Sequence, residues 1–127
     1  EPKGKFVLEY VVHSSANILY DFLTSPSGLS EWFADDVNIR DGIYTFFWEG
    51  SQQQAKLLGC KESQFIRFKW LDRNDETYFE FRIQVDDLTG DVALLVSDFA
   101  ENDPEMHTSK LLWNSQVGKL LQVVGSY

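Results

Sequence analysis

Between Ser14 and Phe33 the chain reads SSANILYDFLTSPSGLSEWF. Ser14-Ser15 offers an N-cap, Ile18, Leu19, Phe22 and Leu23 fall on one helical face, and Pro26 stops the helix near Ser25. After a Pro-Ser-Gly break, a second helical turn from Ser27 or Ser30 ends at Trp32-Phe33. The flanks give this pair of short helices its constraining force. A β-patterned segment precedes it, a long strand-like stretch follows, and one strong helix closes the chain. That order restricts the architecture severely but names no reaction.

In the first segment, Phe6, Leu8, Tyr10 and Val12 alternate with Val7, Glu9, Val11 and His13, the period of a strand with one buried face. Val37 and Ile39 begin the next strand, Asp41-Gly42 is a hairpin signal, and Ile43 to Glu49 is an aromatic return strand. Gly50-Ser51 marks a turn into Gln52 to Cys60, where three glutamines leave little periodicity. Phe65 to Leu71 sets Ile66, Phe68 and Trp70 against Arg67 and Lys69. Thr77, Phe79, Phe81, Ile83 and Val85 alternate with Tyr78, Glu80, Arg82, Gln84 and Asp86, the cleanest one-side-buried pattern in the chain. The Asp87 to Gly90 turn leads to Val92 to Phe99, apolar on both faces and therefore central or covered.

Asp103-Pro104-Glu105 predicts a helix start, with Asp103 as N-cap and proline at the first helical position. Trp113, Val117, Leu120, Leu121 and Val124 make a wide apolar face, broadened by Leu112 and Val123, and Gly125 ends the helix. Short connections imply antiparallel pairing, and a sheet with one apolar face must be covered. The expected fold is α+β: a curved antiparallel sheet of about six to seven strands wrapped around a long C-terminal helix, with two short helices after the first strand.

At 127 residues the chain is expected to form a single domain over 1–127, long enough to bury a core without a staple. The net charge of −9 supplies neither the basic stripe of a nucleic-acid binder nor the cationic face of a membrane-surface helix. The segment from Asp72 to Glu105 alone carries −9, with 11 acids against Arg73 and Arg82; solvated strand faces and loops account for such a run more simply than an acidic docking surface. Cys60 is the sole cysteine, which excludes an internal disulfide and a thiolate cluster. No apolar run reaches transmembrane length and no signal-peptide pattern opens the chain, so no membrane insertion and a cytoplasmic location are the expectation. The sequence opens on Glu1 rather than Met, which leaves the native N-terminus open.

In this order the chain resembles the START-like, helix-grip superfamily, and within it the homologues of the activator of the heat-shock-protein-90 ATPase. The resemblance is carried by the capped helix from Ser15, the Thr24-Ser25-Pro26 stop and the Glu31-Trp32-Phe33 ending. It continues through the Asp41-Gly42 hairpin, the Phe65 to Trp70 strand, and Trp113 followed by Val117-Gly118-Lys119-Leu120-Leu121. Two departures bear on the subfamily rather than the fold: Leu112 stands where the family often has glycine, and the approach to the hairpin is poorer in glycine. The resemblance implies a fold shared by hydrophobic-ligand carriers, cyclases and chaperone regulators, so it does not by itself imply one function.

Few residues carry chemistry. His13 ends a strand facing outward with Glu9 and His107 lies in the first turn of the last helix, so a structural or surface role accounts for each more simply than catalysis. Asp98, Glu101, Asp103 and Glu105 crowd together, but they lack the glycine turn of a calcium loop, and capping already explains two of them; no metal and no cofactor are expected. Cys60 reads as a buried, inert thiol. Gly42, Gly50, Gly90 and Gly118 stand alone, so no phosphate loop appears.

What remains is an excess of aromatic residues, 19 in all. Trp32, Phe47, Trp48, Phe68, Trp70, Phe79, Phe81 and Trp113, with Val117, fit either a filled core or the lining of an apolar cavity between helix and sheet. Tyr10, Tyr44, Arg67 and Arg82 are candidate polar handles, although Arg67 and Arg82 alternate outward. The leading expectation is a non-enzymatic domain that binds a small hydrophobic or amphipathic molecule there. The alternatives are an interaction module that regulates a chaperone or other protein partner, and a cyclase or hydrolase using a cavity acid such as Asp98 or Glu49.

Overall fold

The structure, a computed structural model, describes residues 4–125, so Glu1 lies outside the described residues. Strand β1 (Lys5–Val12) is followed by helices α1 (Ala16–Thr24) and α2 (Pro26–Trp32). Six strands come next: β2 (Asp36–Arg40), β3 (Ile43–Trp48), β4 (Ser51–Lys61), β5 (Phe65–Trp70), β6 (Phe79–Val85) and β7 (Val92–Phe99). Helix α3 (Asp103–Val123) closes the chain.

The seven strands form one antiparallel sheet in the order β1-β7-β6-β5-β4-β3-β2. β1 and β2 therefore occupy opposite edges, and the α1–α2 pair must cross the sheet to connect them. α1 packs over β5 and β6, while α2 packs against β2 and α3. This is the curved sheet around a long helix expected from the sequence.

Serine chemistry joins the two short helices. Ser15 caps α1 by accepting from the N–H of Ile18, and Ser25 ends α1 while its Oγ accepts from the N–H of Gly28. Pro26 is the first residue of α2, so the Pro-Ser-Gly segment is the opening turn of the second helix rather than a break before it. The α1 face is narrower than its sequence pattern suggests: Leu19 and Leu23 are buried, Phe22 is half-buried and Ile18 is exposed.

The strands follow the alternation closely except at the end of β6, where Val85 is exposed rather than buried, and two further departures are instructive. β4 is the longest strand although its pattern is the faintest. Gln52, Gln53 and Gln54 are exposed, Ala55 is its one buried residue, and a bulge between Leu57 and Gly59 shifts the side-chain phase. In β6, Glu80 lies on the face expected to be solvated, yet it is only 5% exposed. Arg67 and Arg82 cover it: Arg67 Nε and Arg82 Nε donate to its carboxylate at 2.8 and 3.0 Å. Each guanidinium in turn lies over a ring, Arg67 over Tyr78 and Arg82 over Phe65.

At the Asp41-Gly42 hairpin both residues have positive φ (52° and 77°), the backbone of a two-residue turn that matches strand twist. In α3 the N-cap is Asn102 rather than Asp103; its side chain accepts from Glu105 N–H, and Pro104 sits one position further into the helix. Trp113, Val117 and Leu120 are buried, Leu121 and Val124 are half-buried, and Leu112 and Val123 are exposed, so the buried apolar stripe is narrower than expected. Among the described residues no helix is long and apolar enough to cross a membrane.

Candidate functional site

Helix α2 delivers Trp32 and Phe33 into the space between the sheet and α3. Phe33 becomes the hub of a ring cluster, with centroid separations of 4.9 Å to Phe46, 5.7 Å to Trp48, 5.9 Å to Phe79, 6.0 Å to Phe81 and 5.9 Å to Trp113. Phe68 stacks on Phe79 at 5.0 Å, and Trp70 stacks on Phe79 at 4.8 Å. Most of the space under α3 is thus filled with interlocked rings, each pair adding about 0.5–1.5 kcal/mol beyond the area it buries.

The filling stops toward the N-terminal half of α3. There an open groove of about 500 Å³ lies between the helix and the ends of β3, β5 and β7. Phe33, Trp48, Trp70 and Trp113 form its aromatic walls, and Ser109, Leu112 and Gln116 line it from the helix. Ser51, Gln53, Asp72, Arg73 and Asp98 supply its polar edge. A smaller recess of about 200 Å³ shares Trp70, Arg73, Asp98 and Ser109 with the groove and adds Glu105.

Local hydrogen bonds hold these walls. The carbonyl of Phe33 accepts from Trp48 Nε1 at 2.9 Å and from Gln116 Nε2 at 3.1 Å, clamping the end of α2 to both β3 and α3. Trp113 Nε1 donates to Asp98 Oδ2 at 2.8 Å, and the other Asp98 oxygen accepts from the N–H of Phe99 at 2.8 Å. Burial pushes the Asp98 carboxyl above its ordinary value, and Glu105 adds to the rise. The bonds from Trp113 and Phe99 and the charge of Arg73 oppose that shift without cancelling it. Arg73 itself is engaged elsewhere, with Asp75 at 3.0 Å and Glu101 at 3.8 Å.

Three of the cavity candidates chosen from sequence, Trp48, Trp70 and Trp113, line this groove. Trp32, Phe68, Phe79, Phe81 and Val117 belong to the filled core instead, each at most 3% exposed. Phe47 is placed differently from expectation. Strand alternation buries Phe46 and turns Phe47 to the opposite face of β3, so Phe46 takes the inner position.

The four candidate handles are also occupied away from the groove. Tyr10 Oη donates to Asn114 at 2.5 Å and Tyr44 Oη to the Thr24 carbonyl at 3.0 Å, while Arg67 and Arg82 bind Glu80. Asp98 and Arg73 supply the polar edge in their place. Arg73 carried no signal in the sequence because its position in the loop after β5 becomes meaningful only when α3 folds back over it.

The remaining chemical candidates separate in space. Glu49 and His107 are exposed, and Cys60 is exposed rather than buried, although the β4 bulge pairs it with the buried Ile66 and sets it beside Tyr20. Among the described residues no three of His, Cys, Asp and Glu converge in a way that could hold a metal ion. Asp98 is drawn inward to Trp113, whereas Glu105 folds back to accept from the N–H of Glu101.

Residues 1–126 match the START-like superfamily domain. The protein BfR322 from Bacteroides fragilis is 40% identical, with a TM-score of 0.69 over 97% of this chain and 92% of that one. The Aha1 dimer from Colwellia psychrerythraea shares the fold at 14% identity, with a TM-score of 0.80 over 94% of this chain and 95% of that one. MLL2253 from Mesorhizobium loti does so at 16% identity, with a TM-score of 0.76 over 95% and 96%. No curated protein matches the sequence. The match along almost the entire sequence agrees with the strand order and the helix laid across it, and this chain belongs to the START-like superfamily.

Proposed function

We propose that this protein binds a small amphipathic molecule in the groove between the N-terminal half of α3 and the ends of β3, β5 and β7, and does so without catalysing a reaction. The observation that carries this reading is the groove itself: about 500 Å³ of open space, walled by Phe33, Trp48, Trp70 and Trp113 and edged by Asp98 and Arg73. Ligand sites commonly occupy about 300–1,000 Å³ and combine apolar walls with a few polar groups. The superfamily is usually ligand-binding, which agrees with this assignment. The bound molecule sits at the mouth of the sheet–helix interface, since the centre is packed with Phe46, Phe68, Phe79 and Phe81. Among the described residues Asp98 is the one acid in the groove that is substantially buried, and its hydrogen bonds come from an indole and a backbone N–H rather than from a basic side chain that would make a general acid–base pair.

The test is an NMR titration of the indole N–H signals with fatty acids, sterols, flavonoids, aromatic acids and aromatic amines. The four tryptophans make an internal control. Binding in the groove shifts Trp48, Trp70 and Trp113 while Trp32, which donates to the Phe22 carbonyl in the core, stays in place. Shifts confined to other surfaces, or none with any compound in a well-dispersed spectrum, overturn the assignment.

A further inference from the structure

The groove is chemically lopsided. Its aromatic walls offer ring surface, because the N–H groups of Trp48 and Trp113 are already bonded to the Phe33 carbonyl and to Asp98. Its polar edge, taken with the adjoining recess, contains Asp72, Asp98 and Glu105 against a single cation among the described residues, Arg73. That cation is held by two further acids, Asp75 and Glu101. A ligand entering here meets negative charge and π faces together, a combination that attracts cations and repels carboxylates.

The geometry points to an aromatic or aliphatic ammonium, its apolar body against the tryptophans and its cationic end toward Asp98 and Asp72, as the class of ligand this groove takes. The inference rests on the binding site proposed above and adds the sign of the ligand's charge. Desolvation of Asp98 supports it: a carboxyl that burial makes reluctant to ionise gains from an incoming cation more than an exposed one does. Overall charge is a competing source of attraction, since the chain carries −9, so the test must separate local from diffuse effects.

Three probes share one apolar body and differ only at the polar end: 4-phenylbutylamine, 4-phenylbutan-1-ol and 4-phenylbutyrate. Their affinities are read from the indole N–H shifts at about 0.15 M salt, where screening beyond ~8 Å suppresses diffuse attraction. The expected order is amine, alcohol, acid, with the amine about tenfold tighter than the alcohol. Asp98→Asn removes most of that advantage while alcohol binding persists. Asp72→Asn, at an exposed rim position that leaves the core untouched, lowers it in the same direction. Asp86→Asn, which deletes the same charge in the distant β6–β7 turn, leaves it unchanged.

An acid that binds as tightly as the amine, or an amine advantage that survives both groove variants or falls with Asp86→Asn, overturns the inference while the site itself stands. Failure of all three probes to shift the groove tryptophans, when other compounds in the broader titration do so, overturns the inference alone. If nothing in either titration shifts them, both readings fall.

Discussion

The indole N–H of Trp113 donates to Asp98 Oδ2 at 2.8 Å, tying the middle of α3 to the end of β7 across the mouth of the groove. The acceptor is a carboxyl that burial holds above its ordinary value of 3.8. Its titration should therefore oppose folding. As pH rises from that ordinary value through the raised one, the folded state retains a proton that the unfolded chain has released, and the site's contribution to stability falls. Asp98→Asn lacks this loss. It has a fixed cost, since the amide has one acceptor for two donors, but the gap between variant and wild type should narrow or reverse with rising pH. Urea midpoints measured from acid to neutral pH check this; a gap that stays constant or widens refutes it.

Glu80 should behave in the opposite sense. Burial pushes its pKa up, but hydrogen bonds and charge from Arg82 and Arg67 outweigh that and hold it below the ordinary 4.5. A carboxylate lowered in this way stabilises the fold above its ordinary value and loses that contribution as pH falls through the lowered one. Glu80→Gln leaves two guanidinium groups on a neutral partner and should cost about 1–3 kcal/mol near neutral pH. The cost should fade in acid, where the wild-type residue is also protonated. Equal unfolding midpoints at neutral pH would show the cluster to be solvated decoration.

These two acids mark the limit of what the sequence discloses. The order of elements, the hairpin at Asp41-Gly42 and the inner faces of β1, β5 and β6 follow from periodicity and turn chemistry, which are local. Glu80 reads as a solvated residue because alternation reports only which face a side chain occupies. The burial on that face comes from Arg67 on a neighbouring strand. The aromatic composition of the groove is legible in the sequence, but its place is not. Aromatic excess signalled either core or cavity, and three of the tryptophans do line the groove. Which rings fill and which remain open depends on how far Phe33 reaches from α2, a tertiary fact with no sequence period. The groove's polar edge joins residues from β4, the β5–β6 loop and β7, which no single window of sequence brings together.

The division between filled core and open groove predicts two different phenotypes from two aromatic deletions. Phe81 is fully buried, in ring contact with Trp32, Phe33 and Trp113, and Phe81→Ala should cost about 3–5 kcal/mol by leaving a cavity. Trp70 is half-buried and faces the groove, so Trp70→Ala should cost less in stability and more in binding. Chemical denaturation together with titration of 4-phenylbutylamine separates the two. If Trp70→Ala retains wild-type affinity, or destabilises as much as Phe81→Ala, the proposed boundary between core and groove is misplaced.

A pair of glycines should respond to alanine with opposite signs. Gly28 lies where α2 crosses the end of α1, and an added Cβ would stand 2.6 Å from both the Asp21 carbonyl oxygen and the Phe22 Cα. Both are backbone atoms, so relief requires moving one helix away from the other, and that movement disturbs the Ser25 cap and the delivery of Phe33 to the ring cluster. Gly28→Ala should therefore lower stability by at least about 1–3 kcal/mol, the typical penalty for overpacking. Gly118 lies on the exposed face of α3 with open space around its missing Cβ. Here alanine only removes the conformational entropy that glycine brings to a helix interior, and Gly118→Ala should raise stability by about 0.5–1 kcal/mol. Thermal melts of the two variants decide the matter: a tolerated Gly28→Ala would mean that α1 and α2 are not in close contact, and a destabilised Gly118→Ala would mean that this face of α3 is covered.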